Sequence, residues 1–478
     1  MTLPHIPILR LGDEYASLDA AELAGVRGGD PIAQISQANA GIIRRDARRF
    51  GQAAEVLRKI PCQKLLDICA DAAGRFLNDN LPLGKGSPHR SPNDYIKSLA
   101  ATCGLPHALI RMNMNKIAQV LKETPAILRG LMRGLSLEVL DTAATEQDGM
   151  ALSYFPTSPV LGAVLPSNSP GVNSLWIPAF ALKVPVVLKP GREEPWTPWR
   201  IIQALIAAGG PREAFGFYPT DHEGSAAILD NCARSLIFGD QNTIARYADN
   251  AAIQVHGPGY SKILIGEDKI DRWRDYIDLM VDSIAANGGR SCINASAIVV
   301  PRYADEISEC LAQRLAAITA RAQDDPEAGL ASFANAAFAD QINRNIEDGL
   351  KTPGATDITS GPRNGAARLC VTDGLTYLLP TLIRCQSIDH PLANREFLFP
   401  YASVVQISQD QMLDKIGPSL VVSAITENQQ FTEQLLRCPL IERLNLGAMA
   451  TTTVRWDQPH EGNLFEFLYR RRAIQYAV

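Results

Sequence analysis

Cys292 lies in the segment NGGRSCINASAIVVP, between a glycine-rich turn and a run of small and β-branched residues that predicts a buried strand. A cysteine at such a junction can face a cleft, where nearby backbone N–H groups lower its pKa toward the nucleophilic thiolate. Cysteine is also among the most buried residue types, so a packing role stands beside the chemical one. A second group suited to chemistry is His256 in QVHGPGY, since imidazole gains and loses its proton near neutral pH. The alternative for it is a structural histidine satisfied by backbone.

The elements that must position these groups change character along the chain. From Pro31 to about Arg133 apolar positions recur every three or four residues and predict helices, with Pro61 at a helix start or bend. NLPLGKGSPHRSPND reads as an exposed loop, and Leu135–Leu140 with Met150–Phe155 as two strands around a polar turn. Short apolar runs then alternate with helices: strand SPVLGAVL, helix VNSLWIPAFALK, strand VPVVLK, helix TPWRIIQALIAAGG with a glycine C-cap, and strands AFGFYP and SLIFGD. This alternation predicts a parallel sheet covered on both faces, with ligands at the carboxyl ends of its strands. A second α/β series starts near Ile263 and includes strands SKILIG, SAIVVP, FPYASVVQI and LVVSAIT. The terminal EFLYRRRAIQYAV reads as a strand with no evident partner in its own domain.

At 478 residues the chain exceeds what one hydrophobic core supports, so at least two domains are expected. Its 46% hydrophobic and 20% charged residues are ordinary for a globular protein. A net charge of -5 without basic blocks argues against nucleic acid as a partner. The apolar stretch Leu175–Leu188 is broken by Lys183 and by prolines, and Arg10, Asp13 and Glu14 interrupt any secretory h-region, so no membrane partner and a cytoplasmic location are expected. Cysteines without a CxxC pair or a Cys/His cluster predict neither a disulfide framework nor a metal site.

Four segments, in order and approximate spacing, resemble the aldehyde dehydrogenase superfamily: Pro166-Ser167-Asn168-Ser169-Pro170, Lys189-Pro190, Cys292, and Glu396-Phe397-Leu398-Phe399-Pro400, where Phe399 replaces a glycine. The resemblance spans about Ser158 to Gln406. It implies an α/β fold with two open parallel-sheet domains: a Rossmann-like cofactor domain over 1–255, a catalytic domain over 256–445, and a return segment 446–478. A small β element, the hairpin at about 135–155 with the terminal strand, would serve oligomerisation. The chemistry implied is a Cys292 thioester whose oxyanion is met by the Asn168 amide and the Cys292 backbone N–H. By resemblance Lys189 holds the adenosine ribose and Glu396 the nicotinamide ribose, with Pro166, Ser167, Pro190, Arg192, Gly239, Asp240 and Phe399 also near the cofactor. Without the resemblance, Asn168 reads as an Asx-turn residue, Lys189 as a solvated cation, Glu396 as an ion-pair member and Asp240 as an N-cap.

Two departures bear on the reaction. Hydrolytic members carry a glutamate in Glu-Leu-Gly-Gly-Lys to activate water, whereas the stretch Ala251 to Gly266 holds no Asp or Glu, and that place falls on Val255 or His256. In this the chain is similar to acylating aldehyde dehydrogenases and fatty acyl reductases, which pass the acyl group to or from a thiol, with coenzyme A a candidate co-substrate. Arg192 stands where NAD-preferring members often place an acidic residue, which favours NADP over NAD unless Glu193 or Glu194 takes that role. The expected function is NAD(P)-dependent interconversion of an aldehyde and an acyl group. The alternatives are a hydrolytic dehydrogenase using His256, and a catalytically silent nucleotide-binding or assembly member. A homodimer or dimer of dimers is expected.

Overall fold

Runs such as Leu161–Val164 and Val186–Lys189 are too short for helices and apolar on both faces, and they pair as interior strands of a covered sheet. A computed structural model of the chain describes residues 3–84 and 87–475. Two units emerge, one comprising residues up to Thr102, Ile110–Gly257 and from Arg455 onward, the other Cys103–Leu109 and Pro258–Val454.

In the first unit the sheet order is Ile253–His256, Arg234–Phe238, Leu161–Val164, Val186–Lys189, Phe215–Phe217, Ile8–Arg10, Asp13–Tyr15. The first five strands run parallel, and the N-terminal pair adds an antiparallel edge that sequence reading did not anticipate. From Leu161–Val164 the chain adds strands on one side, then returns to place Arg234–Phe238 on the other. That reversal marks a topological switch point at the carboxyl ends of these two strands. Before the sheet, Ala33–Ser36 pairs with His5–Ile6 and Ala20–Leu23, and helices occupy most of Ala40 to Leu131. Pro61 leads into the helix Cys62–Asn78, where its missing N–H costs nothing.

Several sequence expectations need correction here. Leu135–Leu140 is not a strand; Val139–Thr142 is a helical turn ended by Ala143 at φ 61°, and the hairpin is Ala144–Gln147 with Met150–Pro156. Asp148 and Gly149, both at positive φ, form the two-residue turn whose twist suits a hairpin. The helix expected over VNSLWIPAFALK is split into a 3-10 segment, Pro170–Leu175, and a helix, Ile177–Ala181, because Pro178 cannot donate to a preceding turn. The terminal segment has a partner in its own chain, since Tyr469–Arg472 pairs antiparallel with Met150–Pro156. Residues 85–86 of the expected loop and 476–478 of the expected strand lie outside the described residues.

The second unit is built on a sheet ordered Ala355–Asp357, Thr381–Cys385, Tyr401–Gln406, Ala295–Val300, Ser261–Ile265, Ser419–Ile425, Ile441–Leu446, parallel except at its first edge. Its two faces are covered by separate apolar clusters that include Met280, Ile307 and Leu311 on one side and Ile342, Ile346 and Phe431 on the other. Among the described residues no helix is long and apolar enough to cross a membrane.

Candidate active site

In the first unit the residues singled out from the sequence collect at the carboxyl edge of the sheet. Asn168 is partly exposed between two anchored serines. Ser167 Oγ accepts from Glu193 N at 3.2 Å, and Ser169 Oγ accepts from Gly171 N at 3.3 Å. Lys189 ends its strand largely buried, which lowers its pKa, while the charge of Glu193 opposes the shift. Pro190 is buried. A Cβ on the adjoining Gly191 would collide with the Pro166 carbonyl and the Ser167 hydroxyl, so the two loops meet backbone to backbone. Such a cradle, at a switch point and beside a lysine, fits a dinucleotide.

Arg192 is exposed in the same loop. Glu194 is buried and caps the helix Trp196–Ala207, accepting from Thr197 N at 3.0 Å and from its hydroxyl; burial pushes its carboxyl up to about 8. Its side chain is thereby committed to the helix, which leaves Glu193 as the acidic residue next to Lys189. Asp240 caps the short helix Gln241–Tyr247, accepting from Thr243 N and Oγ1 at 3.0 Å each, and these bonds lower its pKa. Gly239 has no room for a side chain because Thr243 lies over it.

His256 is buried at the end of Ile253–His256. Its Nδ1 lies 2.6 Å from Glu461 Oε2, and its ring stacks on Phe238 at 4.7 Å. Nε2 has no hydrogen-bond partner among the described residues. Val255 packs instead beside the small cluster of Leu229, Ile237 and Ile253.

In the second unit the candidate residues sit at the amino ends of the strands. Cys292 precedes Ala295–Val300 and is partly exposed. The loop around it is pinned through its backbone. Ser291 N donates to Asn294 Oδ1 at 2.9 Å, Asn294 Nδ2 donates to Ser283 O and Ala286 O, and the buried Arg290 donates to Cys103 O and Ser332 O. Ser261 Oγ donates to Cys292 O at 2.9 Å. Only glycine fits at 259, where a Cβ would collide with that same carbonyl oxygen.

The turn carrying Gly259 is itself clamped. Glu396 Oε2 accepts from Gly259 N and Tyr260 N, both at 2.8 Å. Lys262, fully buried, donates from Nζ to Tyr260 O at 2.6 Å and to Ser419 Oγ at 2.9 Å. Burial pulls the Lys262 ammonium down to about 7, against the opposing charge of Glu396.

A model described as the aldehyde dehydrogenase family matches residues 89–416. The chain belongs to the aldehyde dehydrogenase family. Two curated relatives are a 2-hydroxymuconic semialdehyde dehydrogenase of Pseudomonas sp. (strain CF600), 25% identical over 49% of this chain and 50% of that protein, and a protein of Mycolicibacterium smegmatis named as an NADP(+) succinate-semialdehyde dehydrogenase, 27% identical over 58% and 55%. The chain spans about half the length of these relatives. Among solved structures, the aldehyde dehydrogenase KauB of Pseudomonas aeruginosa superposes at a TM-score of 0.78, with 16% identity over 99% of this chain and 97% of that one. An indole-3-acetaldehyde dehydrogenase of P. syringae superposes at 0.77, with 15% identity over 99% and 96%. At these identities the superpositions establish the fold.

Within this family member, two residues take places that the resemblance did not imply. Phe399 is 2% exposed and packs with Phe397 and Tyr401 in the core. Glu396 spends one oxygen on the Gly259–Tyr260 turn. Sequence reading missed Ser261, Lys262, Asn294 and Glu461; only Lys262, a charge inside an apolar strand, and Asn294, an Asx-type residue beside Cys292, leave a local signal.

Lys262 yields a prediction. In the folded state it gives up its proton near pH 7, and once unfolded near the ordinary 10.5, so between these values the unfolded chain binds more protons and stability from this group rises with pH. Between about pH 7 and pH 9 the urea midpoint should climb more, or fall less, in the wild type than in Lys262→Met, since Glu194 and the buried cysteines, whose raised pKa values work in the opposite sense, are common to both. An unchanged slope in the variant would show that the lysine is charged inside the fold.

Proposed function

We propose that this chain interconverts an aldehyde and an acyl group with NAD(P), Cys292 carrying the acyl group as a thioester that is made from, or passed to, a thiol rather than water. Family membership and the pinned, partly exposed Cys292 support the nucleophile. In this reading the Asn168 amide and the Cys292 N–H meet the developing oxyanion. The cofactor is held by Pro166, Ser167, Lys189, Pro190, Gly239 and Arg192, with Glu396 toward the nicotinamide ribose. When bound, that cofactor supplies the hydride acceptor or donor. NADP is preferred on the ground that Arg192 is exposed beside the cradle and suits a phosphate, while Glu193 beside Lys189 tempers the preference.

The observation that carries the acylating reading is the fate of the base position. No carboxylate occurs from Ala251 to Gly266, Val255 packs beside apolar residues, and His256 is buried with its Nδ1 committed to Glu461. A thiol acceptor needs no such base, since part of it is already thiolate near neutral pH. One observation favours a second, hydrolytic reading: a carboxylate-bound imidazole whose other nitrogen has no partner among the described residues has the makings of a general base, and both curated relatives are named as semialdehyde dehydrogenases. The three-stranded sheet of Ala144–Gln147, Met150–Pro156 and Tyr469–Arg472 leaves the outer edge of Tyr469–Arg472 without a strand partner among the described residues, and we propose that it supports a homodimer or dimer of dimers.

Aldehyde with NAD(P) alone should give a burst of about one reduced cofactor per subunit and then slow turnover, which coenzyme A accelerates. Fast linear turnover without a thiol, abolished by His256→Ala, would establish the hydrolytic reading instead. Sedimentation at micromolar concentration should give at least the mass of two chains, and a single-chain mass would contradict the assembly.

A further inference from the structure

Arg443 lies on the strand Ile441–Leu446, its Cα opposite Val421 in the parallel pair with Ser419–Ile425. Val421, Ile293 and Leu420 form a small apolar cluster against which Cys292 and Val454 pack. The guanidinium is tied to the same place, because Arg443 Nη2 donates to Thr453 O, the residue before Val454, at 3.2 Å. Arg443 therefore flanks the wall on which Cys292 leans, and the two side chains interact electrostatically. Both are partly exposed, so the pair is open to reagents.

The other charged groups near this loop do not stabilise a thiolate. Glu396, on the Gly259–Tyr260 turn, brings a negative charge. Lys262 faces Tyr260 O and Ser419 Oγ and, being buried, loses its proton near pH 7. Arg290 is directed to Cys103 O and Ser332 O. Glu442 is exposed and, as a strand neighbour of Arg443, points to the opposite face. An arginine keeps its charge at any working pH, even where burial lowers its pKa as here.

We propose that Arg443 is a positioning residue that stabilises the thiolate of Cys292, supplying the permanent positive charge that the turn beside Glu396 lacks. The inference rests on Cys292 as nucleophile, and its test reads the thiol directly, without cofactor or aldehyde. The rate of Cys292 alkylation by iodoacetamide, assigned by peptide mass spectrometry, is followed against pH in the full chain. Replacing Arg443 by Gln should raise the midpoint of that profile by about one unit and slow alkylation at pH 7 roughly tenfold, whereas Arg443→Lys should restore most of the difference. Arg443→Met, which keeps the aliphatic stem, serves as the neutral variant if the glutamine form does not fold. A midpoint that does not move in a folded neutral variant overturns the proposal. So does a variant with an unmoved midpoint that loses activity only toward aldehydes bearing a carboxylate, which would make Arg443 a substrate contact. Full activity in Cys292→Ala would overturn the nucleophile assignment itself, a separate outcome from an unmoved midpoint.

Discussion

The Glu396 carboxylate, accepting two successive backbone N–H groups at 2.8 Å, is the constraint on which the arrangement around Cys292 rests. Hydrogen bonds to a charged acceptor are each worth about 1.5–3 kcal/mol, enough to fix a turn of glycine and proline that has little intrinsic preference. Once Gly259 and Tyr260 are fixed, Ser261 Oγ can reach the Cys292 carbonyl and Gly259 can lie against it. Cys292 is thus held through its backbone from one side by this turn and from the other by Arg290 and Asn294. The residue itself is left partly exposed.

Chemistry and scaffold are divided differently in the two units. In the first, loops leaving parallel strands meet at a topological switch point, where a backbone cradle and Lys189 suit a dinucleotide. In the second, the candidate residues Cys292 and Glu396 and the Gly259 turn lie in loops entering the strands. Burial shapes the charges in both. Glu194, desolvated, serves as a helix cap, and Lys262, desolvated, acts as a hydrogen-bond donor to a carbonyl and a hydroxyl. His256 follows the same rule: with Nδ1 on Glu461 and its ring against Phe238, it is held by its surroundings whatever else it does.

Much of this was legible in the chain. The two α/β series, the Pro-Ser-Asn-Ser-Pro loop and the Gly-Gly-Arg-Ser-Cys junction show in apolar periodicity and in local glycine and proline chemistry. Failures came where a local pattern had two solutions, as at Leu135–Leu140, where buried leucines serve a helical turn as well as a strand. They came also where the deciding partner is remote. Glu461 lies 205 residues from His256, and Arg443 reaches the Cys292 wall only because its strand pairs with Ser419–Ile425, whose Leu420 and Val421 pack with Ile293 far upstream. The assumption that the terminal strand lacked a partner failed for the same reason, since its mate is the hairpin more than three hundred residues upstream. Phe399 and Glu396 show a further limit: a matched motif locates a residue, but packing and backbone demand decide what its side chain touches.

The central claim is that this loop holds Cys292 so that it, and no other cysteine of the chain, carries an acyl group covalently. Rapid acid quenching after mixing the protein with an aldehyde and oxidised cofactor, followed by peptide mass spectrometry, tests it most directly. The account predicts an acyl adduct on the peptide containing Cys292 that is removed by hydroxylamine. An adduct on another of the nine cysteines, or turnover with no adduct at any quench time in which intermediates at other steps are trapped, would contradict it.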